Sequence, residues 1–146
     1  MLNMFFGEYN YQLDEKNRLR VPSKLRNNFK STYIITKGTN NSLFIFDKEY
    51  FETAFLEKLN NVPTFDIASQ RPIRALLSSS FEVEEDKQGR FVLPSNLKEY
   101  AGISKNIVFI GVGNRLELWS EENWQKYQNY DEGFDNVLNE LAKHNV

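Results

Sequence analysis

From Gly7 to Leu13, apolar or aromatic residues (Tyr9, Tyr11, Leu13) alternate with polar ones (Glu8, Asn10, Gln12), the period of two that marks a half-buried strand. Asp14 to Asn17 breaks the alternation and predicts a turn. The pattern then resumes, with Leu19 and Val21 facing one side and Arg18 and Arg20 the other, and stops at Pro22, which has no N–H to give a ladder. This reads as a hairpin, followed by a short helical turn at Pro22-Ser23-Lys24-Leu25-Arg26. Two more strands are predicted at Tyr33–Thr36 and Leu43–Phe46, joined by the Gly/Asn-rich segment 38–41. Asp47 stands where a helix N-cap is expected, with acids in the first turn, ahead of the apolar positions Tyr50, Phe51, Ala54, Phe55 and Leu59.

The same succession then recurs. Asp14-Glu15-Lys16-Asn17-Arg18 returns 72 positions later as Asp86-Lys87-Gln88-Gly89-Arg90, and both copies run through an apolar stretch into Pro-Ser and a leucine (Pro22, Ser23, Leu25; Pro94, Ser95, Leu97). Asn17 and Gly89 occupy equivalent positions, and these are the residue types that most readily accept positive φ, so both turns are expected to pass through a left-handed residue. Strands at Ile107–Ile110 and Leu116–Trp119 follow, joined by the Gly/Asn-rich segment 111–114, and then a helix N-capped by Ser120 that carries Trp124 and Tyr127. A linking helix is predicted over 64–77, with Pro72 near its start, and a closing amphipathic helix over 131–143 through Phe134, Val137, Leu138 and Leu141. The expected organisation is one α+β domain over 1–146, built from two repeats at about 5–60 and 77–130.

Composition narrows the function. With 146 residues, 40% apolar and 14% aromatic, the chain can bury one core without staples. It has no cysteine, which removes disulfides, thiolate zinc sites and thiol nucleophiles and suits a cytoplasmic setting. The opening Met1–Phe6 is too short and lacks the basic flank of a leader peptide, and no apolar run reaches membrane-spanning length. Net charge is −2 but unevenly spread: residues 14–37 hold a local +5 and residues 117–146 a local −5. Such polarity suggests a polyanion at the basic end, or two oppositely charged surfaces that help subunits pack.

The residues Phe5-Phe6-Gly7, then Leu13-Asp14-x-Lys16-Asn17-Arg18-x-x-x-Pro22, then Asp86-x-Gln88-Gly89-Arg90-x-x-x-Pro94-x-x-Leu97-x-x-Tyr100-Ala101-Gly102-Ile103 resemble the MraZ family over nearly the whole chain. Each half is also similar to the AbrB/SpoVT-like swapped-hairpin unit, whose signature the segment Asp86–Pro94 matches closely. The resemblance implies two pseudo-symmetric units forming one barrel-like core with peripheral helices. It implies a nucleoid-associated regulator, read here as a repressor, of the bacterial division and cell-wall gene cluster. Such a protein binds direct repeats in its own promoter and assembles into rings, an octamer by resemblance. Asn17 departs from the glycine usual in the first copy, a change that asparagine accommodates.

An Asp and an Arg four positions apart across a tight turn can pair and stiffen it, and the Asp can also accept backbone N–H groups. That role alone would account for Asp14, Asn17, Asp86, Gly89 and Arg90 as a hairpin motif, and leaves open whether Arg90 also touches a ligand. The copies differ in charge. Lys16 becomes Gln88, Arg20 becomes Val92 and Lys24 becomes Asn96; only Arg26 stays cationic, as Lys98. The first copy is therefore expected to bind double-stranded DNA through Lys16, Arg18, Arg20, Lys24 and Arg26, some reading guanine edges and others meeting phosphates. No cofactor, metal, membrane or small-molecule substrate is expected.

An enzyme finds little support. His144 is the sole histidine and lies at the chain end, Glu84-Glu85-Asp86 reads as strand-edge and turn acids, and Gly111-Val112-Gly113 lies between strands rather than before a helix. The competing readings are a protein-interaction module using the acidic C-terminal segment and the aromatics Tyr50, Phe51, Phe55, Trp124 and Tyr127, or an antitoxin-like AbrB regulator.

Overall fold

The strands form where the alternation and the β-branched or aromatic content place them. The computed structural model describes residues 4–30 and 32–146; Met1 to Asn3, half of the opening stretch considered above as a leader, lie outside the described residues. β1 (Phe5–Gln12), β3 (Tyr33–Lys37), β4 (Leu43–Asp47), β5 (Phe81–Glu82), β7 (Asn106–Gly113) and β8 (Leu116–Ser120) make one antiparallel sheet in the order β1-β7-β8-β4-β3-β5. A second, two-stranded sheet joins β2 (Arg18–Leu19) to β6 (Phe91–Val92). The fold class is α+β.

The order of the large sheet reads the same from either end once each strand is exchanged for its counterpart in the other half. The first strand of each half pairs with the third strand of the other, as β1 with β7 and β5 with β3. The second strands pair with each other, and so do the fourth, as β2 with β6 and β4 with β8. This corrects the local hairpin expected from the alternation. The turn at 14–18 forms, but β1 and β2 part beyond it and each takes its ladder from the other half. The reason is that a half-repeat alone leaves one face of its short strands exposed, whereas exchange buries both sets of apolar side chains in one core.

That core lies between the large sheet, the small ribbon and the helical turns α1 (Ser23–Arg26) and α5 (Ser95–Tyr100). Leu25 and Leu97, the paired leucines of the repeat, are buried in it together with Leu13, Leu19, Val21, Phe91, Leu93, Ile107 and Phe109. β3 is buried on both faces, which explains its unbroken apolar run. Its second face, with Phe46 of β4, is covered by a helical stretch made of α2 (Lys48–Phe51), a π-helical turn (Glu52–Leu56) and α3 (Glu57–Asn60). Asp47 caps this stretch by accepting from the Tyr50 N–H, and Ser120 caps α6 (Glu121–Tyr127) by accepting from Asn123. Tyr11 was expected to face inward with Tyr9 and Leu13, yet it is 45% exposed, because β1 is an edge strand with little to cover its end.

Both peripheral helices are shorter than their apolar patterns. α4 runs Ile67–Ser78 and α7 runs Phe134–Ala142. Pro72 is not near the start of α4 but is its sixth residue, past the first turn where a missing N–H costs nothing. α7 begins after Gly133, whose φ of 86° ends the preceding turn. No helix among the described residues is long and apolar enough to cross a membrane.

Candidate nucleic-acid interface

Each repeated pentapeptide closes a loop around its aspartate. Asp14 Oδ1 accepts from the backbone N–H groups of Lys16 and Arg18, both at 2.9 Å, and Oδ2 accepts from Arg18 Nε at 2.7 Å. Asp86 does the same with Gln88 (2.8 Å), Arg90 N–H (2.9 Å) and Arg90 Nε (3.0 Å). The residue before each arginine takes the left-handed conformation, with φ of 59° at Asn17 and 77° at Gly89. The backbone N–H of the arginine first, and then the arginine side chain and the other loop N–H, hold each aspartate carboxyl below its ordinary pKa. Both carboxyls are accordingly ionised anchors at neutral pH. Nε alone meets the aspartate, which fixes each guanidinium and leaves the Nη donors for another partner.

The two loops are also locked to each other. Arg26 of α1 reaches across to the second loop, forking onto Glu85 at 2.9 and 3.2 Å and donating to the Gly89 carbonyl at 3.3 Å. Its counterpart Lys98 reaches the first loop and donates to Asn17 Oδ1 at 2.9 Å. The Tyr33 hydroxyl completes the clamp by donating to Glu85 at 3.0 Å. Burial, with the Glu85 charge beside it, pushes the Tyr33 pKa up to about 12. A side chain at Gly89 would collide with this clamp, since its Cβ would stand 2.8 Å from Arg26 Nη1.

Between the loops lies the β2–β6 ribbon. Leu19 pairs with Phe91 and both are buried, while Arg18 pairs with Val92 on the outward face. One more step of the same register sets Arg20 opposite Arg90, on that outward face. Arg18, Arg20 and Arg90 accordingly line one shallow groove of about 300 Å³ together with Tyr11, Gln12 and Asp14. The ribbon thus presents arginines from both halves, and a single valine, to solvent.

Of the residues expected to bind DNA, Arg18 and Arg20 are brought together in the groove. Lys16 is exposed on the loop leading into the ribbon, and Lys24 is exposed on α1. Arg26 is placed differently, with its fork spent on Glu85. Two placements emerge only with the fold, and each has a signal in the sequence. Arg90 shares the face of Arg18 and Arg20 because the second strands of a duplicated unit pair with each other. Arg26 differs from Lys16 and Lys24 in keeping its charge in the other copy, the mark of a task that both halves share. Glu85 and Asp86, adjacent in sequence, turn to different partners, Glu85 to Arg26 and Tyr33 and Asp86 to its own loop.

A larger hollow of about 490 Å³ opens elsewhere, lined by Phe44, Phe46, Phe51, Phe55 and Leu76. The cations at its rim are engaged within the fold. Arg115 pairs with Glu117 at 2.8 Å while lying over the Phe44 ring, and Lys37 lies over Tyr100. The ribbon arginines, whose Nη donors meet no partner among the described residues, are the better-prepared cationic surface.

Comparison with known proteins agrees with the sequence resemblance. The family described as "MraZ protein, putative antitoxin-like" matches residues 4–74 and again 76–145. A protein of Oenococcus oeni named Transcriptional regulator MraZ is 42% identical over 141 residues, covering 95% of this chain and 97% of its own length. Proteins of the same name from Clostridium beijerinckii and Clostridium tetani are 43% and 38% identical, covering 94% and 96% of this chain and 96% and 98% of their own lengths.

Proposed function

The chain belongs to the MraZ family, and from that premise we propose that it is a transcriptional regulator that reads double-stranded DNA with the outward face of its β2–β6 ribbon. The observation that carries this reading is the convergence of Arg18, Arg20 and Arg90 on one face. A two-stranded ribbon fits the major groove, which is about 12 Å wide, and an arginine fork matches guanine O6 and N7. Asp14 and Asp86 hold the side edge of Arg18 and Arg90, so the Nη edge meets a base at little further entropic cost. Lys16 and Lys24 meet phosphates on either side. Arg26 serves the clamp between the halves and acts on DNA only through the loop that it holds.

The exchange of first and second strands between halves supports reading the chain as a tandem duplication of a swapped-hairpin unit, one domain in two repeats closed by the peripheral helices. One chain neutralises only ~3–5 phosphates, too few for tight binding at cellular salt. A ring of copies on direct repeats in the protein's own promoter supplies the rest through effective concentration. The uncovered apolar face of α7, where Phe134 is 61%, Leu138 43% and Leu141 45% exposed, supports such self-association. In this reading the protein is cytoplasmic, sits on the nucleoid, needs no cofactor, and represses the division and cell-wall genes.

Fluorescence anisotropy on a duplex from the chain's own upstream region tests the assignment. Arg18→Ala and Arg20→Ala are each expected to weaken binding by about tenfold or more, in line with 1–3 kcal/mol per base contact. Lys24→Ala is expected to reduce the salt slope by about one with a smaller loss. Folded arginine variants that bind like the wild type would refute the assignment.

A further inference from the structure

The outward face of the ribbon departs from two-fold symmetry at one pair. Exchange of the halves carries Arg18 onto Arg90, each held by its own aspartate, and Leu19 onto Phe91, each buried. It carries Arg20 onto Val92. Val92 is 58% exposed and stands directly across from Arg18, so an apolar side chain is offered to solvent at one end of the cationic face, diagonal to Arg20.

We propose that Arg20 and Val92 fix the direction in which a single chain lies on DNA, Val92 by packing on the 5-methyl group of a thymine. This deepens the DNA-reading role of the ribbon and rests on it. Among the base edges of the major groove, the thymine methyl is the only apolar group. A valine brought against any other edge would strip water from a donor or acceptor and return no hydrogen bond. A face with four arginines would be two-fold symmetric and would read a short site equally well in both orientations. With Arg20 at one end and Val92 at the other, the ribbon prefers guanine at one position and thymine at its mirror position, and the site acquires a polarity. Val92 points away from the core, so changing it leaves Leu19, Phe91 and the clamp undisturbed.

The test replaces each thymine of the bound duplex in turn with uracil, which removes only the methyl group, and reads affinity by anisotropy. Wild-type protein is expected to lose about threefold to tenfold at one thymine in each box, the size of one buried methyl. Val92→Ala is expected to bind the unmodified site more weakly and to lose that sensitivity. Val92→Arg should bind a two-box duplex with both boxes in the same orientation and one with a single box inverted with affinities within about twofold of each other, whereas the wild type should favour the former. If wild-type protein binds the duplex specifically but no uracil matters, or if Val92→Ala keeps the full methyl effect, the proposal falls while the ribbon remains the reading face. If the wild type shows no specific binding at all, both readings fall.

Discussion

Asp14 and Asp86 make the two loops what they are, and their chemistry sets a pH window. Each carboxyl is held below its ordinary value by N–H donors of the folded loop, so folding favours the charged form. The resulting stability is fully present above the ordinary aspartate pKa and is lost as pH falls through the depressed values. Asp14→Asn is therefore expected to lower the melting temperature at pH 7 and to converge with the wild type in acid, which thermal melts across pH will show. The same variant separates two views of binding. Removing a negative charge beside a polyanion should tighten DNA if charge alone matters, whereas loss of the brace behind Arg18 should weaken it, and we expect weakening. Tyr33 behaves in the opposite sense. Its pKa is raised to about 12, so its contribution is intact below about pH 10 and fades as pH climbs towards 12. Tyr33→Phe should flatten that alkaline loss in melts followed alongside tyrosinate absorbance.

Strands, caps and turns were legible because each depends on neighbours in sequence. The alternation of 7–13, the left-handed residues at 17 and 89, and the caps at Asp47 and Ser120 are local choices that one stretch of chain can state. Pairing is not local. The partner of β2 lies in the other half, and no pattern within residues 14–22 says whether the turn feeds its own strand or another. For the same reason Arg90 looked architectural when each copy was read alone, and joined Arg18 and Arg20 in one groove once β6 lay beside β2. Arg26 reads in the sequence as one cation among others of a single surface, and its fork on Glu85 is visible only in the structure. That clamp ties α1 to the second loop, and its two charges are each about a quarter to a third exposed. A double-mutant cycle of Arg26→Ala and Glu85→Ala should give a coupling of about 1 kcal/mol in urea unfolding, with no coupling expected if the pair is solvent-separated. α5 offers a stronger lever: Leu97→Ala, at a site 1% exposed, should cost about 2–5 kcal/mol in the same measurement.

The chain is polarised in charge, and one strand of the ribbon, β2, lies in its basic segment while the other, β6, comes from the second half. Residues 14–37 carry the local +5, the C-terminal 117–146 the local −5. On the proposed reading, a small basic face would bind DNA weakly by itself and assembly would supply the affinity, for which α7 with its exposed leucines is the candidate element. Leu138→Glu should shift the species seen by light scattering to smaller assemblies. It should also reduce affinity for a several-box duplex towards that for a single box, leaving single-box binding unchanged. Charge polarity was visible in the sequence; the meeting of arginines from both halves in one groove was not, because it exists only after the halves interleave. The most direct measurement is therefore the affinity of Arg90→Ala for the chain's own upstream duplex, beside Arg18→Ala, with thermal melts confirming that both are folded. If the ribbon reads DNA with both halves, the two variants lose affinity to a similar extent, about tenfold or more. Wild-type affinity in folded Arg90→Ala, with Arg18→Ala defective, would confine the reading face to the first half and contradict it.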